Sequence, residues 1–150
     1  MPSVDVTPPL LRHLVHLSHT VERASGAQAI AVYSESESTS PLGPDQFKER
    51  KAAETGFEGV ACVDDVARAA VLSLRYYEGT DDETALRLAE QWLDFVEYMQ
   101  LPDGRFCNFI ADWSGRRNER GPTSIPGGQW WTARALWALG HAYRLTGKSS

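Results

Sequence analysis

The chain has 150 residues, of which 42% are hydrophobic and 23% are charged, with a net charge of −5. This composition is typical of a globular protein, and we expect residues 1–150 to form a single domain. No basic run is longer than two residues, the length of Arg116-Arg117, which is too short to neutralise a phosphate backbone, so no nucleic-acid partner is expected. No apolar stretch of about 18 residues occurs, so no membrane span or membrane partner is expected. The N-terminus lacks the basic and apolar regions of a secretory signal.

The two cysteines, Cys62 and Cys107, lie far apart in the sequence. Their spacing fits neither a disulfide framework nor a zinc motif. The sequence therefore predicts two reduced thiols and a cytoplasmic protein, with a single bridge between two loops as the alternative.

The first third of the chain predicts one helix, a short strand and a long loop. Thr7-Pro8-Pro9 is a typical helix entry, and apolar residues at helical spacing extend the predicted helix over about residues 8–24. His13, His16 and His19 advance around this helix rather than stacking, so we predict no metal site and no cofactor. Residues 29–33 could form a short strand. The Ser- and Glu-rich composition then predicts a flexible surface loop over 34–57.

Three further helices are predicted in the remaining chain. The first, about 63–78, begins at Asp64 or Asp65, and the second is capped by Asp81 or Asp82. A Pro-Asp-Gly turn at residues 102–104 follows, and the last helix covers about 129–146. No strand-like alternation of any length is present, so the pattern indicates an all-α architecture of helical hairpins.

The adjacent carboxylates Asp64 and Asp65 are the first candidates for chemistry. They point about 100° apart on a helix, so one can cap the helix while the other faces a ligand. Acidic residues are also favoured in a first helical turn, and Asp64 with Arg68 forms an i, i+4 ion pair. We therefore consider Asp64 and Asp65 as catalytic residues, with a purely structural role as the alternative.

Five further residues are candidates for ligand binding. Arg68 follows the Asp pair, and Asn108 follows the Asp-Gly turn. In the last helix, Trp130 and Trp131 could offer an aromatic face to a sugar, and Arg134 could stack on Trp130 four residues earlier. Core packing is the alternative for either tryptophan.

A second carboxylate for catalysis could come from Asp112 or Glu119 in the preceding loop. A nucleophilic role for Cys62 is not favoured, because no histidine is placed by sequence to activate it.

Three motifs resemble those of bacterial six-hairpin-glycosidase-like proteins. The helix start Asp64-Asp65-Val66-Ala67-Arg68-Ala69 resembles their Asp-Asp-Asn-Ala-Arg-Ala. The turn running from Gln100 to Phe109 resembles their Gln-x-x-Asp-Gly-x-Phe-x-Asn-Phe. The segment Arg134-Ala-Leu-Trp137-Ala-Leu-Gly140 resembles their Gly-Arg-Ala-Leu-Trp-Ala-Leu-Gly. The resemblance covers about residues 10–147.

The resemblance implies an (α/α) toroid of six-hairpin-glycosidase type, with helix starts around a carbohydrate-sized pocket. It implies a glycoside hydrolase or a related glycan-processing enzyme with a carbohydrate ligand. Two departures weaken catalysis: Val66 replaces an asparagine, and Ser124-Ile-Pro-Gly-Gly128 replaces an acidic Ser-Glu-Asp motif. The alternatives are a non-catalytic carbohydrate-binding or assembly module and a prenyl-binding helical toroid.

A complete toroid of this type has roughly twelve helices of about 11–15 residues, more than this length can hold. The resemblance therefore predicts the N-terminal part of a toroid that lacks its C-terminal hairpins. Apolar helix faces would then be exposed, which predicts self-association.

Overall fold

The computed structural model describes residues 7–36, 47–49 and 58–147. Within these ranges, four helices and three two-stranded antiparallel sheets are present. The helices are α1 (Arg12–His16), α2 (Val63–Thr80), α3 (Glu83–Tyr98) and α4 (Trp130–Thr146). The strand pairs are β1 (Ser18–Thr20) with β2 (Gln28–Ile30), β3 (Ser34–Ser36) with β4 (Phe47–Glu49), and β5 (Ala61–Cys62) with β6 (Phe109–Ile110).

The prediction of an all-α toroid of helical hairpins is wrong, because the fold mixes helices with small antiparallel sheets. The strands are two or three residues long, too short for the alternation of apolar and polar residues that marks a strand in a sequence. Their pairing joins segments up to about 50 residues apart, such as Cys62 with Phe109, and local periodicity carries no signal of it.

The first predicted helix is much shorter than expected. It ends at His16, and the chain continues as β1 instead of remaining helical to residue 24. Ser18 explains part of the change, because its hydroxyl donates to the Leu14 carbonyl oxygen (2.8 Å) and accepts from the indole Nε1 of Trp92 (3.1 Å). A tertiary contact therefore overrides a weak helical preference in a segment rich in His, Ser and Thr.

The three later helices are confirmed to within a few residues. The Asp82 carboxylate caps α3 by accepting from the Thr84 backbone N–H (2.8 Å), as predicted. The short turn between α2 and α3 places Asp81 in the left-handed region (φ 56°). Helix α2 lies at the centre and packs against both α3 and α4.

The core consists of small and aromatic residues between these helices and the strands. Five alanines or valines of α2 are essentially inaccessible, and Trp92, Phe95 and Trp131 fill the spaces around them. Gly59 makes a close approach possible before β5, because a Cβ there would overlap the carbonyl oxygen of Ile110. This contact fixes the position of the chain that leads into α2.

The predicted flexible loop over residues 34–57 includes the β3–β4 pair, in which Ser34 lies opposite Glu49. The remainder of that segment lies outside the described residues. Among the helices described here, none is long and apolar enough to cross a membrane.

Candidate functional site

The candidate site lies where β5 becomes α2. Cys62 is the last extended residue (φ −138°, ψ 153°), and the helix begins at Val63. Neither Asp64 nor Asp65 caps this helix through its side chain, so that part of the prediction is wrong. Asn108, on the neighbouring segment, supplies the acceptors instead: its carbonyl oxygen for the Val63 N–H (2.8 Å) and its Oδ1 for the Asp64 N–H (3.3 Å).

The two carboxylates of the first turn are held by arginines. Arg68 pairs with both Asp64 (3.4 Å) and Asp65, and its Nε also donates to the Asp64 carbonyl oxygen (3.3 Å). Arg134, in the second turn of α4, reaches the Oδ1 of Asp64 with its Nε (3.2 Å). The starts of α2 and α4 therefore meet at Asp64.

The Asp64 Oδ1 atom is buried and has no aligned hydrogen-bond donor. The Nε of Arg134 lies at ion-pair distance from it, but the N–H does not point along the axis of a hydrogen bond. Hydrogen bonds depend steeply on this angle, so the contact between Oδ1 and Arg134 is an ion pair rather than a hydrogen bond.

A pocket of about 550 Å³ opens beside these residues. Its polar wall includes Asp64, Asp65, Arg68 and Glu58, and its apolar wall includes Trp130. Cys62, directly before α2, also lines the pocket, and three other segments contribute Val32, Asn108 with Phe109, and Thr123. The volume is within the range of small-molecule sites.

The structure separates the two predicted aromatic residues. Trp130 lines the pocket and is 52% exposed, whereas Trp131 is fully buried and donates its indole N–H to the Phe106 carbonyl oxygen (2.9 Å). The rings meet nearly at right angles, with centroids 4.8 Å apart. Trp131 therefore belongs to the core and holds Trp130 in place.

Two other predicted binding residues have mainly structural contacts. Arg134 lies over the ring of Trp137 (5.7 Å) rather than Trp130, and it does not line the pocket. Asn108 borders the pocket but is only 3% exposed, and its amide donates to the Thr123 carbonyl oxygen (3.0 Å). Its side chain is thus occupied at both ends.

Glu58 is the pocket carboxylate that the sequence analysis missed. Both of its carboxylate oxygens accept from the Thr123 backbone N–H (3.2 and 3.1 Å). Gly121 permits this, since a Cβ at that position would overlap the Glu58 side chain. A usable signal was the position of Glu58, an acidic residue beside Gly59 and shortly before the Asp pair.

The two loop carboxylates proposed as partners are placed elsewhere. Asp112 is bound to Ser114 and Arg116, and these contacts lower the pKa of its carboxyl group. Glu119 is exposed, and neither residue lines the pocket. Of the acidic residues assigned to the pocket wall, only Asp64 and Asp65 were therefore predicted.

The thiol of Cys62 faces Asp65 and donates to its Oδ2 (3.3 Å). Burial, together with the negative charge of Asp65, raises the pKa of Cys62 well above its ordinary value. The thiolate, which is the nucleophilic form, is therefore disfavoured.

No cluster of three or more His, Cys, Asp or Glu suited to a metal ion occurs in residues 7–36, 47–49 and 58–147. Comparison of the chain with protein-family models and with curated proteins gave no match.

Proposed function

We propose that this chain binds a carbohydrate in the pocket at the start of α2. The observation that carries the proposal is the half-exposed indole of Trp130 on the same pocket as Glu58, Asp65 and Arg68. A sugar ring presents C–H groups on its faces and hydroxyls around its edge. An aromatic face beside several charged hydrogen-bonding groups matches this chemistry. Three motifs resemble those of six-hairpin-glycosidase-like proteins, and this resemblance is used here for the ligand only, because the toroid that it also implied is not the observed fold.

The ion pairs favour binding over catalysis. Carboxylates held by arginine act as strong hydrogen-bond acceptors, which suits the recognition of sugar hydroxyls. A general acid must instead carry a proton to the leaving oxygen. Asp64 and Asp65 both pair with Arg68, and Asp64 also lies beside Arg134.

Glycoside hydrolysis is the second candidate, because three carboxylates line one pocket. Hydrolysis requires two of them in different roles, one as acid and one as base or nucleophile. Asp64 and Asp65 are the predicted catalytic residues, and Glu58 is the third available group. We do not retain the prenyl-binding toroid, because it requires a fold that the chain does not have.

The proposal is tested by screening the protein on a glycan panel and measuring the affinity for each hit by calorimetry. We expect Trp130→Ala to weaken binding about threefold to tenfold, from the loss of one aromatic contact. Tyr143→Ala is the matched control, since Tyr143 is exposed on the same helix and does not line the pocket. Absence of any glycan ligand, or equal affinity of the Trp130→Ala variant, contradicts the proposal.

Catalysis is tested by incubating each bound oligosaccharide with the protein and measuring new reducing ends. Turnover that disappears in Asp64→Asn or Asp65→Asn supports hydrolysis by these residues. Turnover that both variants retain excludes Asp64 and Asp65 as catalytic residues. Binding of the oligosaccharide without turnover supports a non-catalytic binding module.

We propose a cytoplasmic location for the protein. Cys62 and Cys107 are both free and buried, which suits a reducing compartment. The test isolates the protein from its native host, unfolds it and labels its free thiols. We expect both Cys62 and Cys107 to be labelled, and an oxidised cysteine or a disulfide between the two contradicts a reducing compartment.

A further inference from the structure

A second cavity of about 390 Å³ lies between α1, β2 and α2. It adjoins the pocket at the start of α2, which is called the first pocket below. Most of its wall is aliphatic, and His13 is a polar residue of its lining. The aliphatic members are Leu14, Leu17, Ile30, Ala31, Val32, Ala69 and Leu72. This lining differs from that of the first pocket, which carries three carboxylates.

Three residues line both cavities: Val32, Asp65 and Arg68. Val32 is fixed by its N–H bond to the Val60 carbonyl oxygen (3.0 Å), and Arg68 is paired with Asp65. The boundary between the cavities therefore consists of one aliphatic side chain and one ion pair. A ligand that contacts this boundary from the first pocket is within reach of the second cavity.

We propose that the ligand is a glycoconjugate, with its sugar in the first pocket and an apolar aglycone in the second cavity. This inference rests on the carbohydrate-binding function proposed above. The polar wall matches the hydroxyls of the sugar, and the aliphatic wall removes the apolar group from water. The charged boundary lies where the ligand changes from polar to apolar.

The test compares methyl and hexyl glycosides of the sugar that the glycan panel identifies, both below their aggregation concentration. Burial of several additional CH₂ groups should make the hexyl glycoside bind at least about tenfold more tightly. Leu72→Gln should reduce this gain severalfold while leaving the affinity for the methyl glycoside unchanged. Leu72 is 37% exposed, so the change places an amide at a surface that already meets water.

Leu136→Gln is the matched control, because Leu136 is exposed on α4 and lines neither cavity. It should leave both affinities unchanged. Equal affinity for the two glycosides, or a hexyl gain that Leu72→Gln preserves, overturns the inference while the sugar-binding proposal stands. Failure to bind either glycoside contradicts the proposed function itself.

Discussion

At the scale of single residues, Asn108 shows how a predicted ligand group can serve the fold. Its amide oxygen accepts from the first turn of α2, and its amide nitrogen donates to the loop that carries Thr123. These bonds join the two walls of the pocket. Asn108 therefore positions the residues around the pocket rather than offering its own amide to a ligand.

Asn108→Ala should lower the free energy of unfolding by about 1–3 kcal/mol, because the buried amide and its two partly buried hydrogen bonds to the Asp64 N–H and the Thr123 carbonyl oxygen are lost. Chemical denaturation measures the change. Gln100→Ala removes an exposed amide that bonds to the Gly104 carbonyl oxygen (3.3 Å), and it should cost no more than about 0.5 kcal/mol. Equal effects of the two substitutions would show that Asn108 is not a structural residue.

At the scale of elements, two glycines with different surroundings are predicted to respond in opposite directions to alanine. Gly59→Ala should destabilise the fold by about 1–3 kcal/mol or more, because the new methyl group overlaps the Ile110 carbonyl oxygen. That oxygen accepts from the Val60 N–H (2.9 Å) in the segment leading to β5. Gly140→Ala should instead stabilise α4 by about 0.5–1 kcal/mol, since nothing lies within 4 Å.

Thermal unfolding of the two glycine variants and the wild type provides the measurement. A stable Gly59→Ala protein would mean that the approach of the two segments is looser than the structure indicates. A loss of stability in Gly140→Ala would indicate that the exposed face of α4 has a neighbour that needs the space.

The elements that sequence patterns predicted are those specified by local chemistry. Apolar spacing and the Asp82 cap indicated α2, α3 and α4, and the i, i+4 spacing predicted the ion pair of Arg68 with Asp64. The second ion pair of Arg68, with Asp65, was seen only in the structure. The strands depended on pairing between distant segments, which periodicity does not encode. Glu58 and Val32 joined the pocket for the same reason, because only the folded chain brings them to α2.

At the scale of the whole molecule, His141 links stability to pH. Burial, together with the charge of Arg144, lowers the pKa of His141 below its ordinary value of 6.5. The folded protein therefore favours the neutral imidazole. The unfolded chain therefore binds a proton at His141 more readily than the folded protein does. The stability that comes from keeping His141 neutral is fully present above about pH 6.5 and is lost as the pH falls from that value through the folded-state pKa.

We expect the difference in unfolding free energy between wild type and His141→Gln to change in favour of the variant as the pH falls from 7 to about 5. Denaturant titrations at several pH values give this difference. Parallel curves for the two proteins would contradict the assignment, since other titrating groups affect both equally.

The predicted self-association of the protein concerns the exposed apolar side chains of α4. Leu136, Trp137 and Tyr143 are exposed on α4, and Trp130 precedes them on the same helix. Apolar groups of this size on one helix favour contact with a second copy. Sedimentation at increasing concentration should show a rising mass that Leu136→Lys reduces, and a constant monomer mass contradicts the prediction.

The most direct test of sugar binding at the α2 start is a titration of ¹⁵N-labelled protein with the identified sugar, followed through the tryptophan indole N–H resonances. We predict a large shift for Trp130, which lines the pocket, and little change for Trp92, whose buried indole N–H donates to Ser18. Saturable binding that leaves the Trp130 resonance in place, or moves both resonances equally, would contradict this account.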